Sequence, residues 1–146
     1  MKNLIVYESI CHGNTEKIAK AMVESLNADL IKAKQVNEDT LKNYNLIGFG
    51  SGIFFGKLHK NVFEIINKLP TVSNKKAFVF STSGQGKTEY NNLAEQKLKE
   101  KGFEVVGSFA CKGYDTFGPL KLVGGIAPNR PNDGDIQKAK EFAEKL

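Results

Sequence analysis

Asn3-Leu4-Ile5-Val6-Tyr7-Glu8-Ser9-Ile10-Cys11-His12-Gly13-Asn14-Thr15-Glu16-Lys17-Ile18 is the stretch that decides the fold. Leu4 to Tyr7 is apolar at consecutive positions, which a strand needs when helices cover both of its faces. A short polar turn follows, and a helical pattern starts at once. Ile18, Met22 and Leu26, joined by Ala19 and Val23, keep one face apolar at i, i+4 and i+8. Strand, tight turn and helix form the first half of a βαβ unit, whose return crossover is right-handed and whose sheet is parallel.

The same alternation continues outward. Further apolar, β-branched or aromatic runs lie at Ala28 to Ala33, Asn45 to Ser51, Lys75 to Thr82 and Phe103 to Cys111. Helical patterns separate them. Val62, Ile65, Ile66 and Leu69 precede a stop at Pro70, and Tyr90, Leu93, Ala94 and Leu98 precede Gly102. Ile136, Ala139, Phe142, Ala143 and Leu146 follow Asp133, the expected N-cap. The connection from Asn37 to Asn43 is short and weakly helical. These units predict one α/β domain over residues 1–146: a doubly wound five-stranded parallel sheet with helices on both faces. Such a sheet binds ligands beyond the carboxyl ends of its strands, at the topological switch point. The stretch from Lys112 to Asn132, rich in Gly and Pro, is long for a connection inside a compact domain.

Composition narrows the function classes. The 146 residues are 40% hydrophobic, enough for a core. No run nears the ~18 apolar residues of a membrane span, and no cleavage site follows the first apolar run, so a cytoplasmic protein is expected. Two cysteines, Cys11 and Cys111, do not make a disulfide scaffold. The net charge is +5, yet Arg130 is the only arginine and the lysines are interleaved with glutamates on helix faces. Base readout leans on arginine and phosphate-backbone binding on clustered cations, so nucleic acid is not expected as a partner. Membrane association is not expected either.

The chemistry is expected at the strand ends. A polar turn that opens a helix aims backbone N–H groups at one spot, and the helix dipole favours an anion there. Ser9, Asn14 and Thr15 add hydroxyl and amide groups, and Gly13 permits close approach. The same residues also suit an ordinary capped βα turn. After the third run, Ser51-Gly52-Ile53-Phe54-Phe55-Gly56 sets two adjacent aromatics between glycines. They suit either a planar ligand stacked on one of them or one core and one surface phenylalanine. After the fourth run, Thr82, Ser83 and Gly84 offer small polar groups for a heteroaromatic edge, and Lys112 to Pro119 forms a third possible wall.

Rival motifs fail on inspection. Gly86-Lys87-Thr88 looks like the tail of a phosphate-binding P-loop, but Ser81 stands where its first glycine is needed. Cys11 with Lys17 lacks the arginine fork of a cysteine phosphatase. A receiver domain needs an aspartate where this chain has Gly48-Phe49-Gly50. His12 and His59, the two histidines, have no evident carboxylate orienter for hydrolysis.

Ser9-x-x-x-Gly13-Asn14-Thr15-Glu16 after Leu4-Ile5-Val6-Tyr7, read with the aromatic loop, resembles the phosphate loop of the flavodoxin family, with one extra residue within it. The similarity covers nearly the whole chain. It is closest to short flavodoxin-family proteins of anaerobes, through Gly52 to His59, Phe80 to Gly84, Lys112 to Pro119 and Arg130-Pro131-Asn132. The loop after the third run also resembles that of menaquinone-dependent protoporphyrinogen oxidases. The resemblance implies a flavodoxin-like sheet in the order 2-1-3-4-5 and flavin mononucleotide (FMN) as cofactor. Ser9, His12, Gly13, Asn14 and Thr15 would hold its phosphate, and Ser51, Gly52, Ile53, Phe54, Phe55, Gly56, Thr82, Ser83 and Gly84 would frame its ring. Phe54 or Phe55 would replace the tryptophan usual in the family, and Gly56 would offer its carbonyl to reduced N5.

The chain departs from the family in two ways: the acidic, tyrosine-bearing loop after the fourth strand is absent, and the charge is basic where other flavodoxins are acidic. Lys57 and Lys112 are expected near the flavin edge, where they would stabilise the anionic reduced ring and make the protein a weaker reductant. The leading function is an electron carrier with no catalytic side chain, serving a protein redox partner, for which the basic charge suggests an acidic ferredoxin-type one. The alternative is an FMN-dependent oxidoreductase acting on a quinone, porphyrinogen or similar small molecule, with Tyr114 or His59 as proton donor. A third reading is a flavodoxin-fold module that has lost flavin and binds a protein.

Overall fold

Leu4, Ile5, Val6 and Tyr7 are all buried in the computed structural model, as a strand covered on both faces requires. The structure describes residues 2–9, 13–114, 125 and 127–146. Strand β1 (Asn3–Glu8) leads through helix α1 (Asn14–Leu26) to β2 (Asp29–Lys32). After a 3-10 turn at Ala33–Gln35 and a four-residue helix α2 (Glu38–Leu41) comes β3 (Leu46–Phe54). A two-residue strand β4 (Lys57–Leu58) then precedes α3 (Lys60–Lys68), β5 (Lys76–Ser83), a 3-10 turn at Thr88–Asn91, α4 (Asn92–Glu100), β6 (Glu104–Lys112) and α5 (Asp133–Glu144). The main sheet is parallel in the order β2-β1-β3-β5-β6, and β4 pairs antiparallel with β3. The predicted order is observed. The addition is β4, too short to leave a period in the sequence.

Alternate residues of each strand feed two cores. Leu4, Val6, Ile47, Phe49 and Val79 pack with Val62 and Ile66 of α3 and Leu98 of α4. Ile5, Tyr7, Phe78 and Phe80 pack with Ile18 and Met22 of α1 and Ala139 and Ala143 of α5. Gly48 and Gly50 explain how two phenylalanines fit on the second face. Gly48 pairs with Phe78 and Gly50 with Phe80, and a Cβ at either glycine would run into the partner's ring. Missing side chains on β3 thus become slots for rings on β5.

Two lysines complete the frame by receiving carbonyls that helix ends leave unpaired. Lys75 Nζ donates to Leu41 O (3.2 Å), Lys42 O (3.1 Å) and Tyr44 O (2.5 Å) just after α2. Lys101 Nζ donates to Asn67 O (3.1 Å) and Leu69 O (2.7 Å) at the end of α3. The N-cap of α5 differs from the expectation. Asn132, not Asp133, caps it: the Asn132 side chain accepts from Asp135 N, and the Asp135 carboxylate accepts from Asn132 N. Asn132 has the extended backbone that a cap needs, and Asp133 is already the first helical residue. β3 also runs three residues past its expected end at Ser51, because the hairpin to β4 gives its last residues a partner.

Gly50→Ala should lower stability by about 1–3 kcal/mol, the range for overpacking a full core. The readout is a lower urea midpoint at unchanged slope. An unchanged midpoint would show that Phe80 moves aside without cost.

Candidate functional site

The site begins with sheet register. Glu8 lies beside Ser51 and Ser51 beside Ser81, so β1 ends level with points from which β3 runs on to Phe54 and β5 to Ser83. One step further, Gly52, Thr82 and Cys111 form a row, and Ser83 pairs with Lys112. Helix α1 starts at this edge. Gly13 sits at φ 65°, a left-handed conformation that glycine adopts without strain, and its carbonyl receives the first helical bond, from Lys17 N at 3.1 Å. The first N–H groups of a helix have no partner within it, and Gly13 brings no side-chain acceptor. Ser9 Oγ accepts from Glu16 N at 3.3 Å, which places that hydroxyl at the same helix end.

Buried polar side chains fix the helix end to the sheet. Thr15 and Thr82 are 2% and 3% exposed, and their hydroxyls pair at 2.8 Å. One hydroxyl donates to the other, so the accepting one keeps its own proton for a further bond. Asn14 Nδ2 donates to Tyr114 O at 2.8 Å. A Cβ on Gly113 would strike the Asn14 side chain, so glycine there lets the chain leaving β6 pass close to α1. Gly113 N donates to Ser83 O (2.9 Å) and Tyr114 N to Arg130 O (2.8 Å). The guanidinium of Arg130 holds Asp135 through Nε (2.5 Å) and NH2 (2.7 Å), and it pulls that carboxyl below its ordinary pKa.

Opposite α1, the end of β3 turns back. Phe54 pairs with Lys57, and Phe55 and Gly56 between them have φ of 54° and 79°. Two consecutive positive φ values mark the two-residue hairpin turn that favours Asn-Gly or Gly-Gly. Phe55 is a costly residue there, and it is 89% exposed. A Cβ built on Gly13 or Gly56 meets nothing within 4 Å, so both backbones are open to close approach. Ser51 braces the hairpin from below: fully buried, its Oγ donates to Gly52 O (2.6 Å) and accepts from His59 N (2.8 Å). The Phe54 ring meets His59 edge to face at 5.2 Å.

The electrostatics suit an anion at α1. Glu16, the acidic residue of the first turn, is held by Lys20 at 2.8 Å, which lowers its pKa. Cys111 is buried and its thiol is pushed up to about 12 by that burial, so it is no nucleophile at neutral pH. Among the described residues no group of His, Cys, Asp and Glu could hold a metal ion.

Of the sequence-derived candidates, Ser9, Gly13, Asn14 and Thr15 gather at the start of α1. Thr82 joins them from β5, and Ser83 and Gly84 continue its edge. Ser51, Gly52, Ile53, Phe54, Phe55 and Gly56 form the facing hairpin. His12 lies outside the described residues, as do Cys11 and the 115–119 wall. The aromatic pair divides into a half-buried Phe54 against His59 and an exposed Phe55 at the turn. Lys57 places its Nζ 5.8 Å from the Phe63 ring, and Lys112 ends β6 beside Ser83. Sequence reading missed Asn61, whose Nδ2 donates to Glu8 Oε1 at 3.0 Å, and the Arg130–Asp135 pair. Asn132-x-x-Asp135 has the spacing of a capping box and could have pointed to the second.

The model of a flavodoxin domain matches residues 4–117. The chain belongs to the flavodoxin family. It is 53% identical over 148 residues to an uncharacterized protein of Methanocaldococcus jannaschii, covering 100% of this chain and 98% of that one. A solved flavodoxin from the domain Archaea aligns at TM-score 0.77 and 22% identity, over 99% of this chain and 95% of that one. The flavodoxin of Fusobacterium nucleatum, solved bound to flavin mononucleotide, aligns at TM-score 0.70 and 12% identity, over 99% and 96%. The flavodoxin fold is thereby established for the chain, and helix α1 and the β3–β4 hairpin face each other at its strand ends.

The hydroxyl pair that joins α1 to β5 can be measured. Thr15→Val and Thr82→Val should each cost about 1–3 kcal/mol, because each leaves a buried hydroxyl without its partner. The double variant should cost less than the sum, by on the order of 1 kcal/mol in a urea-unfolding cycle. Additive losses would mean that the two hydroxyls act independently.

Proposed function

We propose that this flavodoxin binds FMN at the end of α1 and carries electrons between protein redox partners. The observation that carries the reading is the start of α1. A left-handed glycine, helix amides that have no partner within the helix, the Ser9 hydroxyl and the Thr15–Thr82 pair meet at the sheet's carboxyl edge, and the first-turn carboxylate of Glu16 is held by Lys20. That donor set fits a phosphate. Ser9, Gly13, Asn14 and Thr15 would hold it. The hairpin from Ser51 to Gly56 and the segment from Thr82 to Gly84 would border the ring, with Phe55 as the exposed aromatic against it. FMN supplies the one- and two-electron redox chemistry when bound.

The chain's own residues bind, orient and shield. The amides of α1 fix the phosphate end without a cation, and the fold around them changes little because Thr15 and Asn14 are anchored elsewhere. The hairpin presents Phe55 from a rigid base, since Ser51 ties β3 to His59. Proton transfer by a side chain is not required of a carrier. Cys111 cannot serve as an acid or nucleophile at neutral pH, and the Nδ1 of His59 is already an acceptor. The net charge of +5 favours an acidic partner such as a ferredoxin-type protein, through complementary surface potential. The free, buried Cys111 suits a reducing, cytoplasmic setting.

The purified protein should show a flavin absorption spectrum and release one FMN per chain. Phe55→Asn should raise stability by about 0.5–1 kcal/mol, because asparagine accepts the turn's positive φ, while it weakens FMN binding. A colourless protein whose spectrum does not respond to added FMN would end the proposal. Turnover of a quinone or porphyrinogen by the loaded protein would replace the carrier with an oxidoreductase.

A further inference from the structure

His59 is an unusual helix cap. It precedes α3, and its Nδ1 accepts the Asn61 backbone N–H at 3.0 Å. Serine, threonine, aspartate and asparagine ordinarily fill this role, and none of them titrates as an imidazole does. With Nδ1 accepting, the neutral ring must carry its proton on Nε2. The same residue is bound to the hairpin twice more. Its N–H donates to Ser51 Oγ, which also donates to Gly52 O, and its ring meets Phe54 edge to face. His59 therefore ties the start of α3 to Ser51 and Phe54 of the strand that leads into the Phe55–Gly56 turn.

We propose that His59 is the positioning residue of this hairpin, holding it only as a neutral imidazole, so that protonation loosens the turn bearing Phe55 and Gly56. A proton on Nδ1 would face the Asn61 N–H, donor against donor. The cation would also sit at the positive end of the α3 dipole. The charged groups acting on the ring come from three elements: Glu8 on β1, Lys34 in the 3-10 turn after β2, and Lys60 and Glu64 on α3. The two carboxylates favour the imidazolium and the two lysines oppose it, and burial is the largest influence, holding the ring below its ordinary pKa of 6.5. The sign follows. The cap is intact above that ordinary value, and its contribution is lost as the pH falls through the lowered pKa of the folded chain. The consequence for FMN rests on the function proposed above, whereas the behaviour of the hairpin does not.

The first test is an NMR titration of the FMN-free wild-type protein. The neutral His59 ring should carry its proton on Nε2, and the amides of Phe55, Gly56 and Asn61 should shift together with the imidazole. A proton on Nδ1 at neutral pH, or hairpin amides that ignore the imidazole, would overturn the inference. The second test compares FMN dissociation constants of the wild type and His59→Asn, a cap that cannot titrate, between about pH 5 and 8. The phosphate of FMN titrates in this range too, so the readout is the difference between the two proteins. The wild type should lose on the order of five-fold more affinity across the imidazole titration than His59→Asn, the size of a lost N-cap. Parallel curves would overturn the inference while leaving FMN binding intact. If neither protein binds FMN at any pH, the functional proposal fails, and the NMR titration still decides the role of His59.

Discussion

Helix α1 opens with backbone N–H groups aimed off the end of a sheet, behind a residue that has no side chain to receive them. Everything near that point serves this constraint. The helix cannot shift to find another acceptor, because Thr15 is bonded to Thr82 across the layer and Asn14 is bonded to the chain leaving β6. Gly13 occupies the N-cap in a left-handed conformation and brings no side-chain acceptor, and Ser9 Oγ receives Glu16 N. An anion from outside answers the demand most simply. The flavodoxin fold supplies the geometry, since the end of β1 is in register with Ser51 of β3 and Ser81 of β5, whose last residues continue beyond it at the same edge.

The opposite wall follows a different logic. There the backbone is strained rather than unsatisfied. Phe55 accepts a positive φ that asparagine or glycine would adopt at lower cost, and it displays a large apolar ring to solvent. Strain of this kind persists where the surroundings over-determine it. Ser51 and His59 do so from below, through hydrogen bonds to both ends of the hairpin. Lysine has a similar structural part elsewhere in the molecule. Lys75 and Lys101 close the ends of α2 and α3 by donating to backbone carbonyls, so part of the basic composition is internal capping rather than a binding surface.

Much of this was legible in the residues. Unbroken apolar runs such as Leu4 to Tyr7 announced strands covered on both faces, and the i, i+4 spacing from Ile18 to Leu26 fixed α1. Together they announce the doubly wound sheet, and the observed strand order is the one the family resemblance implies. The polar turn at the end of β1 marked the start of α1 because helix-start chemistry is local. The β3–β4 hairpin was not legible. Phe-Gly is a poor hairpin turn by composition, β4 has only two residues, and the pairing depends on Ser51 reaching His59 across the turn. The place of Lys57 in the chain says nothing of the direction its stem takes over Phe63. The cap of α5 was displaced by one residue because Asn132 and Asp133 are both good caps, and only the reciprocal bond with Asp135 selects the first.

The central claim is that α1 holds a phosphate, and calorimetric titration of the flavin-free protein with FMN and with riboflavin tests it most directly. The two ligands share the ring and differ in the phosphate. FMN binding much more tightly than riboflavin, with the difference persisting in Phe55→Asn, is the predicted result. Equal affinities would contradict the account, because the ring would then be held without help from the start of α1.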